Sequence, residues 1–352
     1  MIRQSTADTT TQALPMRLFR SADDRRQAKA LQGELDLIEA MLVENLGFAS
    51  AVADAPARYL AEAGGKRIRP MLTVLTSQLG DGPNELVRRA AVAVEMTHLA
   101  SLYHDDVMDD ATLRRGVPAS QVVWSNSVAI LAGDLLFARA SSLVAGMGED
   151  AILLQARTFE RLCLGQLHET VGPQPEDEHI AHYIQVLADK TGALISTAAR
   201  MGVMFGGGSA EHADAVTEYG ERIGVAFQLI DDVIDLSPKK DRTGKRAGTD
   251  LRAGVATLPL LLLRNRAAAG DTEAQALLTR IDAGVKAIAE GADLSVMDPE
   301  VDALYTHEVT RETEATAKRW ADEAVAALDV LPKSSVKRGL ERMAESIVSR
   351  EG

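Results

Sequence analysis

From Gln27 onward, the apolar residues of this chain recur at helical spacing almost without interruption. Residues three or four positions apart share one face of an α-helix, and the pattern opens with Leu31, Leu35, Ile38 and Leu42. Breaks that contain glycine or proline divide the chain into helix-length segments, and none of these alternates between apolar and polar residues as a strand does. The sequence therefore predicts an all-α fold, a single large helical bundle over residues 27–352 that follows a flexible leader over residues 1–26.

The charge balance and the single cysteine exclude several classes of protein. Asp and Glu number 51 against 38 Lys and Arg, which gives a formal net charge of −13, whereas nucleic-acid binding needs a basic surface that displaces counterions. We therefore expect no nucleic-acid partner. Cys163 is the only cysteine, so the sequence excludes an internal disulfide and fits a reducing compartment.

Neither a signal peptide nor a membrane span is expected from the sequence. The N-terminal segment holds polar residues and scattered charges but no apolar stretch of the signal-peptide kind. The longest strongly apolar runs, such as residues 258–263, are far shorter than the roughly 20 residues that cross a bilayer. These features predict a cytoplasmic protein without a transmembrane segment.

Two copies of the motif Asp-Asp-x-x-Asp lie in otherwise apolar helical segments. At about 100° per residue, Asp105 and Asp109 of the first copy share a helix face with His98. In the second copy, Gln228 lies one turn before Asp231 on the same side. The carboxylates of the two copies are Asp105, Asp106, Asp109, Asp231, Asp232 and Asp235. Because unpaired buried carboxylates are very costly, both stripes indicate helices that line a polar cavity.

Carboxylates that face each other repel unless cations lie between them. Ligation by oxygen alone, without cysteine or histidine at metal-binding spacing, indicates Mg²⁺ that is shared with substrate phosphates. The alternative interpretation is that each acidic cluster is a solvated helix end. Two identical motifs in core-like sequence favour the metal site.

Several basic segments could bind diphosphate. The segment Gly64–Pro70 combines a glycine pair with three cations, and its proline suits the first turn of a helix. Arg114 and Arg115 directly follow the first acidic motif, and Lys190 lies in a mostly apolar helical segment. Basic side chains and helix N-termini favour anions. Taken singly, each segment could instead be solvated surface, and the lysine could reach outward from an apolar helix.

Taken together, these motifs resemble the trans-isoprenyl diphosphate synthases, also called polyprenyl synthetases. The resemblance covers the middle of the chain in the expected order: Gly-Gly-Lys-Arg-Ile-Arg-Pro (64–70), His98, Ser-Leu-Tyr-His-Asp-Asp-Val-Met-Asp (101–109), Arg-Arg-Gly-x-Pro (114–118), Gly-Gln (165–166), Lys-Thr-Gly (190–192), Phe-Gln-x-x-Asp-Asp-x-x-Asp (227–235), Gly-Lys (244–245) and Thr-Leu-Pro (257–259). It implies a helical isoprenoid-synthase bundle around a central active-site cavity, and a homodimer.

The resemblance also implies a role for each matching residue. Mg²⁺ ions that grip the diphosphate of an allylic substrate would bind Asp105, Asp109 and Asp231, supported by Asp106, Asp232 and Asp235. The same diphosphate would contact Arg114, Lys190 and Lys245. The diphosphate of isopentenyl diphosphate would be held by Lys66, Arg69, His98 and Arg115. The developing carbocation would lie near Thr191 and Gln228.

The implied reaction is the head-to-tail condensation of isopentenyl diphosphate with an allylic diphosphate, by Mg²⁺-assisted ionisation, to an all-trans polyprenyl diphosphate. The small residues Ala100 and Ser101 before the first motif would let the growing product chain pass along the active-site cavity. The far end of that cavity, which limits the length of the product, could be formed by Leu135, Leu136 or Phe137. We therefore expect a product longer than C20, such as a quinone side-chain precursor. The alternatives are a short-chain geranylgeranyl or farnesyl diphosphate synthase, a non-catalytic subunit of a heteromeric synthase, and a terpene cyclase.

One position departs from the family pattern. The family often has a lysine before Thr-Leu-Pro, and this chain has Val255 in that place. Arg252 is the nearby cation that could compensate. Transient membrane contact during release of a long apolar product is left open by the sequence.

Overall fold

Helices dominate the computed structural model, which describes residues 22–238 and 246–350. The α-helices are α1 (Ala22–Asn45), α2 (Ala51–Glu62), α3 (Ile68–Ser77), α4 (Glu85–Met108), α5 (Ser120–Val123), α6 (Asn126–Ala145), α7 (Glu149–Val171), α8 (His179–Leu187), α9 (Ala193–Phe205), α10 (Ala210–Leu236), α11 (Thr249–Arg252), α12 (Leu258–Ala268), α13 (Thr272–Ala289), α14 (Asp298–Thr306), α15 (Glu308–Ala327) and α16 (Ser335–Val348). One π-helical turn, Ala188–Gly192, joins α8 to α9, and two 3₁₀ turns span Leu294–Met297 and Leu328–Val330. A short antiparallel hairpin pairs β1 (Leu113–Arg114) with β2 (Val117–Pro118). The predicted all-α fold class is confirmed.

The first helix begins inside the segment predicted to be a flexible leader. It starts at Ala22, so the end of that leader is helical, and residues 1–21 lie outside the described residues. The single domain predicted over residues 27–352 stays a prediction.

The chain divides into two compact units. Unit 1 comprises the described residues of 1–160, 194–220 and 327–342, and unit 2 those of 161–193, 221–326 and 343–352.

Helix α4 lies in the core of unit 1. Asn84 caps its N-terminus by accepting a hydrogen bond from the backbone N–H of Val87 at 3.1 Å, and every residue from Ala90 to Thr97 is buried. Near its other end, the fully buried Tyr103 accepts a hydrogen bond from the backbone N–H of Leu60 in α2. Because buried side chains are packed closely, the end of α4 is held in a fixed position.

The second half of α10 lies in the core of unit 2. Its Val225, Leu229 and Ile230 are buried in one cluster with Leu187 of α8 and Leu258 of α12. A second cluster joins the helices that follow, and it includes Leu263, Leu277, Ile281, Met297, Val301 and Leu304. The second acidic motif therefore also lies on a helix that tertiary packing holds in place.

Helix α6 is the one helix in the described ranges that is long and apolar enough to cross a membrane, judged by length and composition. Its most apolar window of 18 residues has a mean hydropathy of 1.7, and 33% of that window is buried. A core helix of a soluble protein meets the same criteria, and Ala129, Ala132 and Leu136 of α6 are buried. The predicted absence of a transmembrane segment is not confirmed and stays a prediction.

Candidate active site

The first acidic motif lies at the C-terminal end of α4. Asp105 is half-buried in the last turn, and Asp109 is exposed directly after the helix, where its backbone N–H donates to the carbonyl of Asp105 at 2.8 Å. The C-terminal end of a helix carries partial negative charge. Two carboxylates one turn apart add to the negative charge at this end of the helix, which favours a cation there.

Asp106, the middle carboxylate of this motif, faces an arginine. Its side chain is 0% exposed, and its Oδ1 atom accepts a hydrogen bond from Nε of Arg114 at 2.6 Å and forms an ion pair with Nη2 of the same guanidinium at 2.5 Å. Burial raises the pKa of Asp106, and the hydrogen bonds and charge of Arg114 oppose that shift. The pair fixes Arg114, a predicted diphosphate ligand, beside the motif.

A cluster of cations surrounds His98, one of the predicted ligands of isopentenyl diphosphate. Burial lowers the pKa of His98 well below its usual range, and the charges of Arg69 and Arg115 lower it further. The imidazole is therefore neutral near pH 7. The Nε atom of Arg69 is buried and has no hydrogen-bond partner among the described residues. A buried donor without a partner is costly, and an anion beside Arg69 would satisfy it.

The loop that carries the predicted ligand Lys66 has a strained backbone. Lys66 itself is exposed. Gly64 has a φ of 86°, and Arg67 has a φ of 48°, in the left-handed region that non-glycine residues rarely adopt. A Cβ atom on Gly65 would lie 3.1 Å from a guanidinium nitrogen of Arg67 and 3.2 Å from Cζ of Arg115. The glycine pair therefore permits two arginines to approach this loop closely.

Left-handed backbone recurs around this region. In the described ranges, the non-glycine residues with positive φ are Arg67, Asp110 and Arg115. Arg115 donates to the carbonyls of Leu60 at 2.7 Å and of Gly64. Such conformations persist only where surrounding contacts hold them, and they concentrate at functional sites.

The second acidic motif, on α10 in unit 2, has a different set of partners. The half-buried Asp231 accepts a hydrogen bond from Arg350 at 2.9 Å. The buried Asp232 accepts one from the hydroxyl of Tyr183 at 2.5 Å, and burial raises the pKa of Asp232 well above its usual range.

The remaining residues of this motif are also placed by their surroundings. The buried Asp235 accepts a hydrogen bond from the backbone N–H of Asp250 at 3.1 Å. Gln228 is half-buried one turn before Asp231. The polar side of α10 predicted from the sequence is thus partly covered by other residues of unit 2.

Lys190 and Thr191 lie in the π-helical turn between α8 and α9, and both are half-buried. Lys190 forms an ion pair with Glu169. The preceding residue, Asp189, accepts hydrogen bonds from Arg161 at 2.6 Å and from Gln185 at 2.9 Å. Single π turns often occur at functional sites, and here the side-chain contacts of Asp189 hold the turn that presents Lys190.

Comparison with known proteins decides the family. The profile of the polyprenyl synthetase family matches residues 50–292. The nonaprenyl diphosphate synthase of Mycobacterium tuberculosis is 38% identical over 326 residues, which cover 92% of this chain and 95% of that protein. The chain belongs to the polyprenyl synthetase family. It is a prenyltransferase.

Two solved structures show the same fold as this polyprenyl synthetase. A polyprenyl synthase from Caulobacter crescentus, complexed with calcium and isoprenyl diphosphate, has a TM-score of 0.82 and 31% identity, covering 93% of this chain and 98% of its own. A geranylgeranyl pyrophosphate synthase from Corynebacterium glutamicum, complexed with the same ligands, has a TM-score of 0.78 and 37% identity, covering 94% and 98%. The activity predicted from the sequence is thereby confirmed at the level of the family reaction.

The residues of this polyprenyl synthetase fit a divalent metal. In the described ranges, no three or more His, Cys, Asp or Glu side chains are already gathered around one point that could hold an ion. Mg²⁺ is usually bound by one or two carboxylates together with water and substrate phosphates. The pair Asp105 and Asp109 at the end of α4, and Asp231 on α10, supply carboxylate oxygens of this kind.

Two predictions about the loop after α10 have different outcomes in this polyprenyl synthetase. Lys245 lies outside the described residues. Arg252 is the cation that could have compensated for Val255, but it is buried and donates to the carbonyls of Ala247 and Leu294 and to Asp298 at 2.7 Å. These contacts engage its guanidinium inside unit 2, so the structure does not support that possibility. Val255 is 45% exposed.

Sequence reasoning missed several residues that contact the candidate site. Glu95 could have been found, because it lies one turn before His98 on a buried helix. Tyr183, Arg161 and Arg350 had no local signal, since each reaches its partner through the fold.

Proposed function

We propose that this polyprenyl synthetase joins isopentenyl diphosphate to an allylic diphosphate with Mg²⁺ as its metal and makes an all-trans product longer than C20. The observation that carries the proposal is Arg69, whose Nε atom is buried without a partner beside the neutral His98 and Arg115. A neutral imidazole and two guanidiniums can all donate hydrogen bonds to a diphosphate. We assign the diphosphate of isopentenyl diphosphate to this cluster, together with Lys66.

The allylic diphosphate is assigned to the two acidic motifs and their neighbouring cations. Asp105, Asp109 and Asp231 would hold Mg²⁺, with Asp106, Asp232 and Asp235 in support. When bound, Mg²⁺ supplies positive charge that stabilises the departing diphosphate. Arg114, Lys190 and Lys245 would contact the same diphosphate as fixed cations.

The proposed reaction needs no nucleophilic side chain. The allylic C–O bond breaks and its electrons leave with the diphosphate, and the terminal alkene carbon of isopentenyl diphosphate bonds to the allylic carbon. The positive charge then lies on the methyl-bearing carbon of the former alkene. A proton leaves the CH2 group between that carbon and the diphosphate-bearing carbon, its C–H electrons form the new double bond, and the released diphosphate accepts the proton. Thr191 and Gln228 present polar oxygens near the positive charge, and apolar walls exclude water that would quench it.

The ion pairs of the proposed ligands support a role in binding charge. Lys190 pairs with Glu169, Arg114 with Asp106 and Asp231 with Arg350. A charged group that is partly removed from water needs an opposite charge. In the proposed complex, the diphosphate would supply negative charge to Lys190 and Arg114, and the metal would supply positive charge to Asp231.

The length of the product is proposed from the helix that carries the first motif. Ala100 is fully buried, and the hydroxyl of the half-buried Ser101 donates to the carbonyl of His98 at 2.9 Å. Neither side chain is large enough to block a chain that grows along α4. Of the three residues considered for the deeper end of the cavity, Leu135 is 36% exposed and Leu136 is fully buried. The ring of the half-buried Phe137 lies 5.5 Å from that of His104, next to Asp105 on α4, which favours Phe137.

The similarity to nonaprenyl diphosphate synthase supports a long product, and the similarity to geranylgeranyl pyrophosphate synthase supports the shorter alternative. The small residues at positions 100 and 101 favour the longer one. A quinone side-chain precursor is a use that fits such a product.

A homodimer in the cytoplasm is the proposed state of the enzyme. Large apolar side chains of α6 and of the first part of α7 are exposed in unit 1, and they include Ile130, Leu131, Leu135, Ile152 and Leu153. Exposed apolar groups of this kind mark an interaction surface. We assign them to a second copy of the chain, with only transient membrane contact during product release. Light scattering would give twice the mass of one chain.

The decisive experiment incubates the purified chain alone with labelled isopentenyl diphosphate, Mg²⁺ and one allylic primer at a time, and then sizes the dephosphorylated products. Products longer than C20 are expected. Farnesyl or geranylgeranyl as sole product would contradict the length assignment. Activity that appears only with a partner chain would make this protein one subunit of a heteromeric synthase.

A further inference from the structure

Arg67 differs from the other cations of its loop in where its side chain lies. Lys66 is exposed and Arg69 is half-buried, whereas Arg67 is 6% exposed. Its guanidinium binds both carboxylate oxygens of Glu39 in α1 at 2.8 Å, and one carboxylate oxygen of Glu95 in α4 at 3.0 Å. Arg67 is thus bound by two acidic side chains from two helices of unit 1.

Glu95 is a buried carboxylate among several cations. Its residue is 2% exposed, and it lies one helical turn from His98 on α4. Besides its bond to Arg67, its negative charge raises the pKa of Arg69 and of Arg115 and opposes the lowering caused by their burial. Guanidiniums that are so close together repel each other, so one buried carboxylate stabilises the whole group.

The backbone of the loop needs such an anchor. Arg67 has a left-handed φ of 48°, which costs free energy in a residue with a side chain. Its side chain also donates to the carbonyl of Ala61 at 3.2 Å. The bonds to Glu39 and Glu95 therefore hold the loop, and with it Lys66 and Arg69, in one conformation.

We propose that Glu95 is a positioning residue for isopentenyl diphosphate: through its bond to Arg67 it fixes the loop of residues 64–67 and the first turn of α3, which carry Lys66 and Arg69. Glu39 is the second anchor of the same arginine. The inference rests on the proposed function, because it takes the cations around His98 as the isopentenyl diphosphate site.

The chain offers a matched control for this network. Arg88 of α4 binds both carboxylate oxygens of Glu34 in α1, at 2.7 and 3.2 Å. This pair also joins α1 to α4, but the partners of Arg88 among the described residues are Glu34 and Glu85, and neither lies in the loop of residues 64–67 or in the first turn of α3. Loss of the Glu34 pair should therefore affect stability without affecting the substrate site.

The test compares Glu95→Gln with Glu34→Gln in steady-state assays that vary each substrate separately. For Glu95→Gln we expect the KM for isopentenyl diphosphate to rise by about 10- to 100-fold, as is typical when a supporting partner of a ligand is lost. The KM for the allylic diphosphate should stay as in the wild type. Glu34→Gln should leave both KM values unchanged.

Glu39→Gln is the second variant, because the side chain of Glu39 is 43% exposed and its replacement is compatible with folding. It should raise the same KM in the same direction by a smaller factor. A double variant of Glu95→Gln with Arg67→Gln should be no worse than the more affected single variant, because the two residues act through one contact.

Three outcomes would overturn the proposal. They are an unchanged or lower KM for isopentenyl diphosphate in both Glu95→Gln and Glu39→Gln, an equal rise in both KM values, and the same rise in Glu34→Gln. A wild-type chain that does not incorporate isopentenyl diphosphate would instead refute the proposed function, so the two failures are distinguishable.

Discussion

The two Asp-Asp-x-x-Asp motifs match in sequence but differ in what binds their middle carboxylate. Asp106 faces the guanidinium of Arg114, whereas Asp232 faces the neutral hydroxyl of Tyr183. Burial raises the pKa of both carboxyls, and that of Asp232 lies well above its usual range. A cation compensates a buried negative charge more fully than a hydroxyl does. The same motif thus has two different electrostatic surroundings. They depend on which residues the fold brings beside the middle carboxylate, and the motif itself does not specify them.

The two motifs also differ one turn upstream. Four positions before the first aspartate, α4 carries the small Ser101 and α10 carries Phe227. Phe227 lies under the guanidinium of Arg350, whose Cζ is 4.7 Å from the ring centroid. At this position α4 thus has a small polar side chain, whereas α10 has an aromatic ring that lies against a cation.

The largest expected effect comes from removing the first carboxylate of either motif. Asp105→Asn and Asp231→Asn should each lower kcat/KM by about 100-fold or more, because each would remove a carboxylate ligand of the proposed Mg²⁺, whose positive charge stabilises the departing diphosphate. Assays at saturating Mg²⁺ measure the loss, with thermal unfolding as the check of folding. Full activity in either variant would show that the two motifs do not both bind the metal ions of the allylic diphosphate.

The difference between the middle carboxylates predicts unequal losses of stability. Arg114→Met should lower the free energy of unfolding by about 3 kcal/mol, because it leaves a buried carboxylate without its cation. Tyr183→Phe should lower it by about 1–2 kcal/mol, the cost of one lost hydrogen bond to a buried acceptor. Urea unfolding measures both.

An exposed ion pair is the control for this comparison. Lys318 and Asp322 pair on the surface at 3.0 Å, and Lys318→Met should change the unfolding free energy by less than about 1 kcal/mol. Equal losses in Arg114→Met and Tyr183→Phe would mean that the two settings do not differ in energy.

The upstream difference predicts a change of product. Ser101→Phe places an aromatic ring on α4 where α10 already has one, so we expect shorter products at a turnover near that of the wild type. Ser142→Phe on α6 is the control, because Ser142 is exposed and its hydroxyl also bonds within its own helix. Sizing of the dephosphorylated products measures the effect. An unchanged product length in Ser101→Phe would show that the growing product does not pass this face of α4.

The smallest effect is expected at the cation that covers the second motif. The pair of Arg350 with Asp231 is partly exposed, with side chains 29% and 39% accessible, and such pairs contribute about 0–1 kcal/mol. Arg350→Ala should therefore lower the unfolding free energy by about 1 kcal/mol or less. A larger loss would mean that the second motif depends on this contact as the first depends on Arg114.

Much of this architecture could be predicted from local pattern. Helical periodicity predicted the all-α fold, because an amphipathic helix must bury its apolar side wherever it packs. The spacing of the aspartates predicted that Asp105 and Asp109 share one helix face, which depends only on helix geometry. The sequence left open whether Arg252 compensates for Val255, because proximity in sequence does not show which way a side chain points.

The sequence by itself determined the family, the class of reaction and the residue types that can bind metal and diphosphate, since these follow from side-chain chemistry and from spacing within single helices. Only the tertiary structure decided that Arg67 binds Glu39 and Glu95, that Asp106 faces a cation and that Asp232 faces a tyrosine. Most of these partners are far apart in the chain. Their meeting depends on how whole helices pack, a property that no short stretch of sequence encodes.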